Sequence, residues 1–402
     1  MKETLRVITA GSVDDGKSTL IGRLLYDAKV LTRDQLETLG GEGGLGSAPD
    51  FAALTDGLMA EKEQGITIDV AYRFFATQHR RYILADCPGH EEFTRNMVTG
   101  ASTADVAIVL IDPTKLDFAK TGPDLLLIQT KRHTAVLAML GVRHIVVAIN
   151  KMDAIAYDQK KFQQIATAYQ QYFDLVRDSG FVKVAASLST IPISALKGDN
   201  IVHGSQFLSW YGGDPLLAHL DGLELSEHIG VGAWSSMPVQ YVVRQEGGVG
   251  RQFRGYQGRV EHGPLAVGQA VKIFPSGVAT SIAAIYNSAG EAVQSVAAGL
   301  LATVQLATEV DAARGNYITY ESSNLPPQKG NNKNFSAVVC WFDKNPFSAG
   351  TKYILKHTSR EVQAKLDDIA VLNLNDIHGG ATESPLTMNH MARVAVKTSS
   401  EI

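Results

Sequence analysis

The spacing of hydrophobic and polar positions changes partway along the chain. Short runs rich in Val, Ile and Leu recur through the first half: LRVITAG, RYILAD, DVAIVLID, RHIVVAIN and TIPISAL. Turn or charged residues bound each run, and stretches with helical spacing separate most of them, as in PDLLLIQTKRHTAVLAMLG and QKKFQQIATAYQQYFDLVRD. This alternation predicts a mainly parallel sheet with helices on both faces, because each parallel connection needs a crossover long enough to hold a helix. DVAYRFFA, just ahead of RYILAD, is expected to pair with it as an antiparallel edge strand.

After about residue 225 the helical periods give way to short alternating segments between glycines, such as MPVQYVVR, GYQGRVEHG and QAVKIFPSG. That pattern predicts small all-β barrels. NLPPQKGNNKN, residues 324–334, has the Pro, Gly and Asn content of a linker between two of them. The expected organisation is an α/β domain over residues 1–228, a first barrel over 229–326 and a second over 327–402. The glycine-rich stretch LGGEGGLGS at 39–47 reads as a surface loop.

Composition narrows the picture in three ways. Apolar residues make up 45% of the 402, ample for more than one core. A formal net charge of −4 gives no electrostatic reason to expect nucleic acid or an anionic membrane as the main partner. Cys87 and Cys340 are the two cysteines, so neither a disulfide framework nor a Cys/His cluster with zinc spacing is present. With no apolar run near the roughly 20 residues of a membrane helix, and a charged start unlike a signal peptide, a soluble protein of the reducing cytoplasm is expected.

Candidate chemistry begins at GSVDDGKSTL. Gly11-x-x-x-x-Gly16-Lys17-Ser18 follows the strand LRVITA and opens an apolar, helix-like stretch, the strand-loop-helix context of a phosphate loop. Glycines let the backbone turn its N–H groups inward, the helix start adds positive dipole and Lys17 adds a full charge. Ser12, Val13, Asp14 and Asp15 complete the cradle, and Thr19 follows Ser18, whose hydroxyl suits Mg²⁺. The two aspartates sit oddly in a loop meant for anions.

Four further segments bear on the base and the chemistry. Asn150-Lys151-Met152-Asp153 ends the strand RHIVVAIN, at the sheet edge where open α/β folds bind ligands. A carboxylate at Asp153 can accept from guanine N1–H and N2–H₂, a donor pair that adenine lacks. Lys151 can lie over the base and Asn150 can tie this loop to the phosphate loop. Ser194-Ala195-Leu196, after the last strand of the domain, offers an amide to guanine O6. Asp86-Cys87-Pro88-Gly89-His90 places Asp86 to hold Mg²⁺ through water, Gly89 to turn its N–H toward a γ-phosphate and His90 to orient an attacking water. Cys87 reads as a small packing residue rather than a nucleophile. Thr67 of GITID can complete the metal coordination, or it can be simply a β-branched residue opening a strand. The nucleotide is therefore expected to be GTP with Mg²⁺, with His90, Lys17 and Thr67 as catalytic candidates and Ser18, Thr67 and Asp86 as metal candidates.

With these motifs in their usual order, the chain resembles translation-factor-type GTPases, an α/β P-loop GTPase domain followed by two β barrels. GSVDDGKSTLIGRLLYD, DGLMAEKEQGITIDVAYRFF and ADCPGHEEFTRNMVTGAS are more closely similar to the large-subunit family of bacterial sulfate adenylyltransferases. Elongation factors typically have His where this chain has Ser12, and often His or Ala in place of Asp15. The resemblance implies a GTPase subunit whose smaller catalytic partner makes adenosine 5'-phosphosulfate and pyrophosphate from ATP and sulfate, driven by GTP hydrolysis. A translation factor carrying aminoacyl-tRNA is the rival reading, and Ser12 and Asp15 oppose it. The chain departs from the family pattern between Asp112 and Gln129, where PTKLDFAKTGPDLLLI is longer and less basic. The family also continues for several strands past the position of Ile402, so the second barrel is expected to be incomplete, and no kinase-type extension is expected here.

Overall fold

A computed structural model describes residues 4–31, 51, 67, 69–90, 93–179, 182, 186–224, 234–247, 251–321, 333–372, 381–382 and 385–401. The glycine-rich stretch 39–47, most of the linker at 324–334 and most of GITID lie outside the described residues. Contacts divide the chain into two compact units, one of residues 1–224, 338–346 and 370–393, the other of 225–337, 347–369 and 394–402.

The first unit is built on six strands: β1 (Thr4–Ala10), β2 (Ala71–Ala76), β3 (Arg81–Asp86), β4 (Val106–Ile111), β5 (His144–Ile149) and β6 (Ser187–Pro192), in the order β2-β3-β1-β4-β5-β6. All neighbours are parallel except β2, which runs antiparallel to β3 from Ala71 opposite Asp86 to Ala76 opposite Arg81. β4 lies near the middle and every one of its six residues is buried, which is why VAIVLI reads as a continuous apolar run and not as an alternation. The edge strand β2 does alternate, with Phe75 buried and Tyr72 and Phe74 exposed.

Helices cover the sheet where the apolar spacing turns helical. In the helix Gln159–Asp178, Phe162, Ile165, Tyr169, Tyr172, Phe173 and Val176 are buried along one stripe, each large side chain contributing about 1.5–3 kcal/mol. Asp158 caps its start by accepting from the amides of Lys160 and Lys161. The segment that departs from the family pattern packs rather than loops out. It forms short 3-10 turns at Pro113–Lys115 and Gly122–Leu125 and buries Leu116, Leu125 and Leu126 in the same core. Gln164 of the long helix donates to the Phe118 and Lys120 carbonyls.

The second unit holds an eight-stranded antiparallel sheet drawn from residues 234–321. Strands such as Ala270–Phe274 and Leu301–Leu306 alternate buried and open positions, and their inward residues, among them Val271, Ile273 and Val304, form a separate core with Met237, Tyr256 and Ile318. A separate five-stranded sheet, part of whose residues belong to the first unit, is formed by Asn334–Cys340, Met391–Thr398, Arg360–Leu372 and Tyr353–His357, in that order, with Ala381–Thr382 paired antiparallel to Arg360–Leu372. Among the described residues, no helix is long and apolar enough to cross a membrane.

Candidate functional site

β1 is flanked by β3 on one side and β4 on the other, so successive crossovers leave it in opposite directions. At such a switch point the loops at the carboxyl ends of the strands splay apart and leave a crevice. The loops after β1, β3, β4, β5 and β6 all emerge at that edge, and they carry every site residue anticipated after a strand.

The Gly11–Ser18 loop is held from both sides. Gly16, with φ of 91°, lets the chain turn into α1 (Lys17–Asp27), and a Cβ there would fall 2.4 Å from the Asn150 amide nitrogen. Asn150 Nδ2 donates to the Asp15 carbonyl at 2.8 Å, while its Oδ1 accepts the Ala195 amide at 2.9 Å. One side chain therefore joins the loops of β1, β5 and β6. The Ala195 amide, offered by its sequence position to guanine O6, is engaged by Asn150 here. Lys151 Nζ donates to the Asp14 carbonyl at 2.7 Å and to Asp112 Oδ2 at 2.7 Å. Burial works to raise the Asp112 carboxyl, but bonds from Lys151 and Thr114 outweigh it and hold the group below its usual range.

The base-side residues are preset. Ser194 Oγ donates to Asp153 Oδ1 at 2.7 Å, which fixes the orientation of the carboxylate while both of its oxygens keep acceptor capacity. Ser194 and Ala195 are buried, and Leu196 is exposed. Met152, grouped by sequence with the nucleotide contacts, is a fully buried core residue. Tyr157, two positions past the 3-10 turn Met152–Ile155, donates to Asp199 Oδ2 at 2.5 Å and links the same two loops from behind.

On the phosphate side, Ser18 Oγ donates to Asp86 Oδ2 at 2.9 Å and lies 3.4 Å from Thr67 Oγ1, so all three metal candidates converge. Asp86 is 1% exposed and also accepts from Thr9 Oγ1 at 3.1 Å. A single carboxylate with two hydroxyls is a hard oxygen donor set that fits Mg²⁺, which fills its remaining positions with water and phosphate oxygens. Among the described residues no group of three or more His, Cys, Asp or Glu side chains forms an all-protein cage. Lys17 is buried, its ammonium donating to the Ser12 carbonyl at 2.7 Å and the Gly11 carbonyl at 3.3 Å. Burial lowers its pKa against the pull of Asp15 and Asp86. Thr19 follows Ser18 on α1, half-buried. Pro88 and Gly89 are buried and Gly89 abuts Lys17, whereas His90 is exposed with its ring 6.0 Å from that of Phe93. Cys87 is fully buried, and burial pushes its thiol well above the usual range, as befits packing and not nucleophilic chemistry.

Sequence reading passed over two residues that the fold brings to this site. His133, on the helix Ile128–Met139, is fully buried and its Nδ1 accepts the Gly11 amide at 3.1 Å. Burial and the nearby Lys17 push its pKa down to about 3, as a ring that must accept an N–H requires. Lys115 reaches the Val13 carbonyl and Asp15 Oδ1, the latter at 2.9 Å. Neither has a local motif; the one available signal was that Lys115 lies in the segment departing from the family pattern.

Comparison with known proteins agrees with this geometry. Residues 2–230 match the family described as Elongation factor Tu GTP binding domain. The chain is 41% identical over 381 residues to a sulfate adenylyltransferase subunit 1 of Aliivibrio fischeri (strain MJ11), covering 94% of this chain and 75% of that protein. It is 43% identical over 406 residues to the bifunctional enzyme NodQ of Rhizobium sp. (strain N33), covering 100% of this chain and 59% of that longer relative. Among solved structures, a bacterial selenocysteine-specific elongation factor aligns over 100% of this chain and 54% of its own, at 20% identity and a TM-score of 0.43. Taken with the convergent nucleotide loops, the family match over residues 2–230 and the Aliivibrio fischeri relative make the chain a GTPase that belongs to the sulfate adenylyltransferase subunit 1 family, within the elongation-factor-Tu type.

Proposed function

We propose that this chain binds GTP with Mg²⁺ and that its hydrolysis drives a smaller catalytic subunit to form adenosine 5'-phosphosulfate and pyrophosphate from ATP and sulfate in the cytoplasm. The proposed GTP-binding domain spans residues 1–228, with barrels over 229–326 and 327–402; the ATP and sulfate chemistry lies in the partner, and no nucleic acid is involved. The observation that carries the nucleotide half is Asn150, which bonds the base loop at Ala195 and the phosphate loop at Asp15 at once. The partner is supported by the relatives' name, which makes them one subunit of an adenylyltransferase.

In this reading Asp153 and Ser194 select guanine, and the amides of Ser12 to Thr19 receive the phosphates. Ser18, Thr67 and Asp86 hold Mg²⁺, which supplies positive charge to the phosphate oxygens when bound. Lys17 turns from the Gly11 and Ser12 carbonyls toward the β- and γ-phosphates, and His90 orients water. Thr67 and the Asp86–His90 segment are the parts that respond to the γ-phosphate, so the partner reads their order. The test is to purify the chain with its co-expressed smaller subunit and follow pyrophosphate release from ATP and sulfate. GTP should raise the yield at equilibrium, and a non-hydrolysable GTP analogue should not. Equal yield with and without GTP would sink the reading.

A further inference from the structure

We propose that Lys115, which belongs to no nucleotide motif, is a positioning residue of the phosphate site that acts through Asp15 and the Val13 carbonyl. A loop that turns its N–H groups inward must turn its carbonyls outward, and those oxygens need partners of their own. Three consecutive carbonyls of this loop are held in that way, Asp15 by Asn150, Asp14 by Lys151 and Val13 by Lys115. The first two holders come from the base loop. The third comes from the 3-10 turn Pro113–Lys115, whose start is fixed by Asp112 accepting from Thr114 N at 2.9 Å and Thr114 Oγ1 at 2.6 Å.

Lys115 also neutralises the one charge that is out of place. The Asp15 carboxylate is 1% exposed, accepts the Ser12 amide at 2.6 Å through Oδ2 and meets Lys115 at 2.9 Å through Oδ1. Without Lys115, this buried carboxylate would be left to the Ser12 amide and to the pull of Lys17, the ammonium that must serve the phosphates. Both consequences, a loosened loop and an added negative charge, oppose nucleotide binding. The lysine side chain is 31% exposed, so its contribution comes through the buried partner and not through an isolated surface pair.

A double-mutant cycle tests this, using Lys115→Met, Asp15→Asn, the double variant and Lys115→Arg in the full chain, with GDP, GTP and xanthosine triphosphate titrated by fluorescence. Lys115→Met should weaken GDP and GTP by about tenfold or more, as loss of one partner of a buried pair predicts. The double variant should recover most of that loss, because no buried charge is left unpaired, and Lys115→Arg should stay within about threefold of the parent. The preference for GTP over xanthosine triphosphate should be the same in all four, since the base loop is untouched. The proposal is overturned if Lys115→Met binds like the parent, if the double loses the product of the single effects, or if base preference shifts along with affinity. Should Lys115→Met fail to fold by circular dichroism, the arginine and double variants decide alone: weakened binding in both contradicts the proposal. The inference rests on nucleotide binding and not on the sulfate reaction, so a chain whose GTP drives no sulfate chemistry leaves this cycle unaffected.

Discussion

A methyl group on Gly89 would sit 2.4 Å from the Lys17 ammonium and 2.8 Å from both the Ser12 carbonyl carbon and the Val13 nitrogen. The backbone after β3 is pressed against the phosphate loop, and glycine is what permits it. Gly89→Ala should therefore weaken GTP about tenfold, roughly 1.4 kcal/mol, in a fluorescence titration. GDP should be less affected if Gly89 serves the γ-phosphate. His90 stands apart from this contact, exposed at the rim. His90→Ala should leave GTP affinity within about twofold and slow single-turnover hydrolysis by roughly 100-fold, the range of a residue that orients the nucleophile. A loss of binding would make it structural instead. The puzzle of aspartates in an anion loop also resolves at this scale. Asp14, with φ of 61°, is exposed and offers the loop its carbonyl, while Asp15 is buried and paired with Lys115.

At the scale of elements, the helix Ile128–Met139 does more than cover the sheet. Through His133 it holds the first amide of the phosphate loop, a bond that only a neutral ring can make because Nδ1 must accept. A histidine at about 3 when folded and at its ordinary 6.5 when unfolded binds its proton preferentially in the unfolded chain between those values. Stability should thus be unaffected above about pH 6.5 and fall as pH drops below it. The loss reaches about 2 kcal/mol at pH 5, measured as the denaturation midpoint of the first unit. His133→Asn, which keeps an acceptor near Nδ1 and cannot be protonated, should flatten that fall. None of this was legible in the chain, where His133 reads as one more position of an apolar helix. The β/α alternation was legible because central parallel strands are buried on both faces and must be apolar throughout, as β4 is. The phosphate loop and NKMD were legible because each is a local turn whose residues are set by its own backbone. The Asp15–Lys115 pair spans 100 positions, and it is the pairing of β1 with β4, followed by the 3-10 turn Pro113–Lys115, that brings the two together.

At the scale of the whole molecule, the loops after β1, β3, β4, β5 and β6 gather the proposed guanine, phosphate and metal groups in one unit, and the relative of which this chain covers 75% is by name one subunit of an adenylyltransferase. In the proposed function, GTP hydrolysed in this site is what drives sulfate activation. Asp153 allows that coupling to be tested without disabling the site. An asparagine there offers an N–H to the C2 carbonyl of xanthine and an acceptor to its N1–H, where in the proposed reading the carboxylate of Asp153 accepts from the guanine N1–H and amine. The decisive measurement is the nucleotide dependence of pyrophosphate release from ATP and sulfate, with the smaller subunit present and this chain either intact or carrying Asp153→Asn. The intact complex should respond to GTP and not to xanthosine triphosphate, and Asp153→Asn should reverse the preference while ATP and sulfate requirements stay the same. Continued dependence on GTP in the variant, or a rate indifferent to either nucleotide in the intact complex, would contradict that coupling.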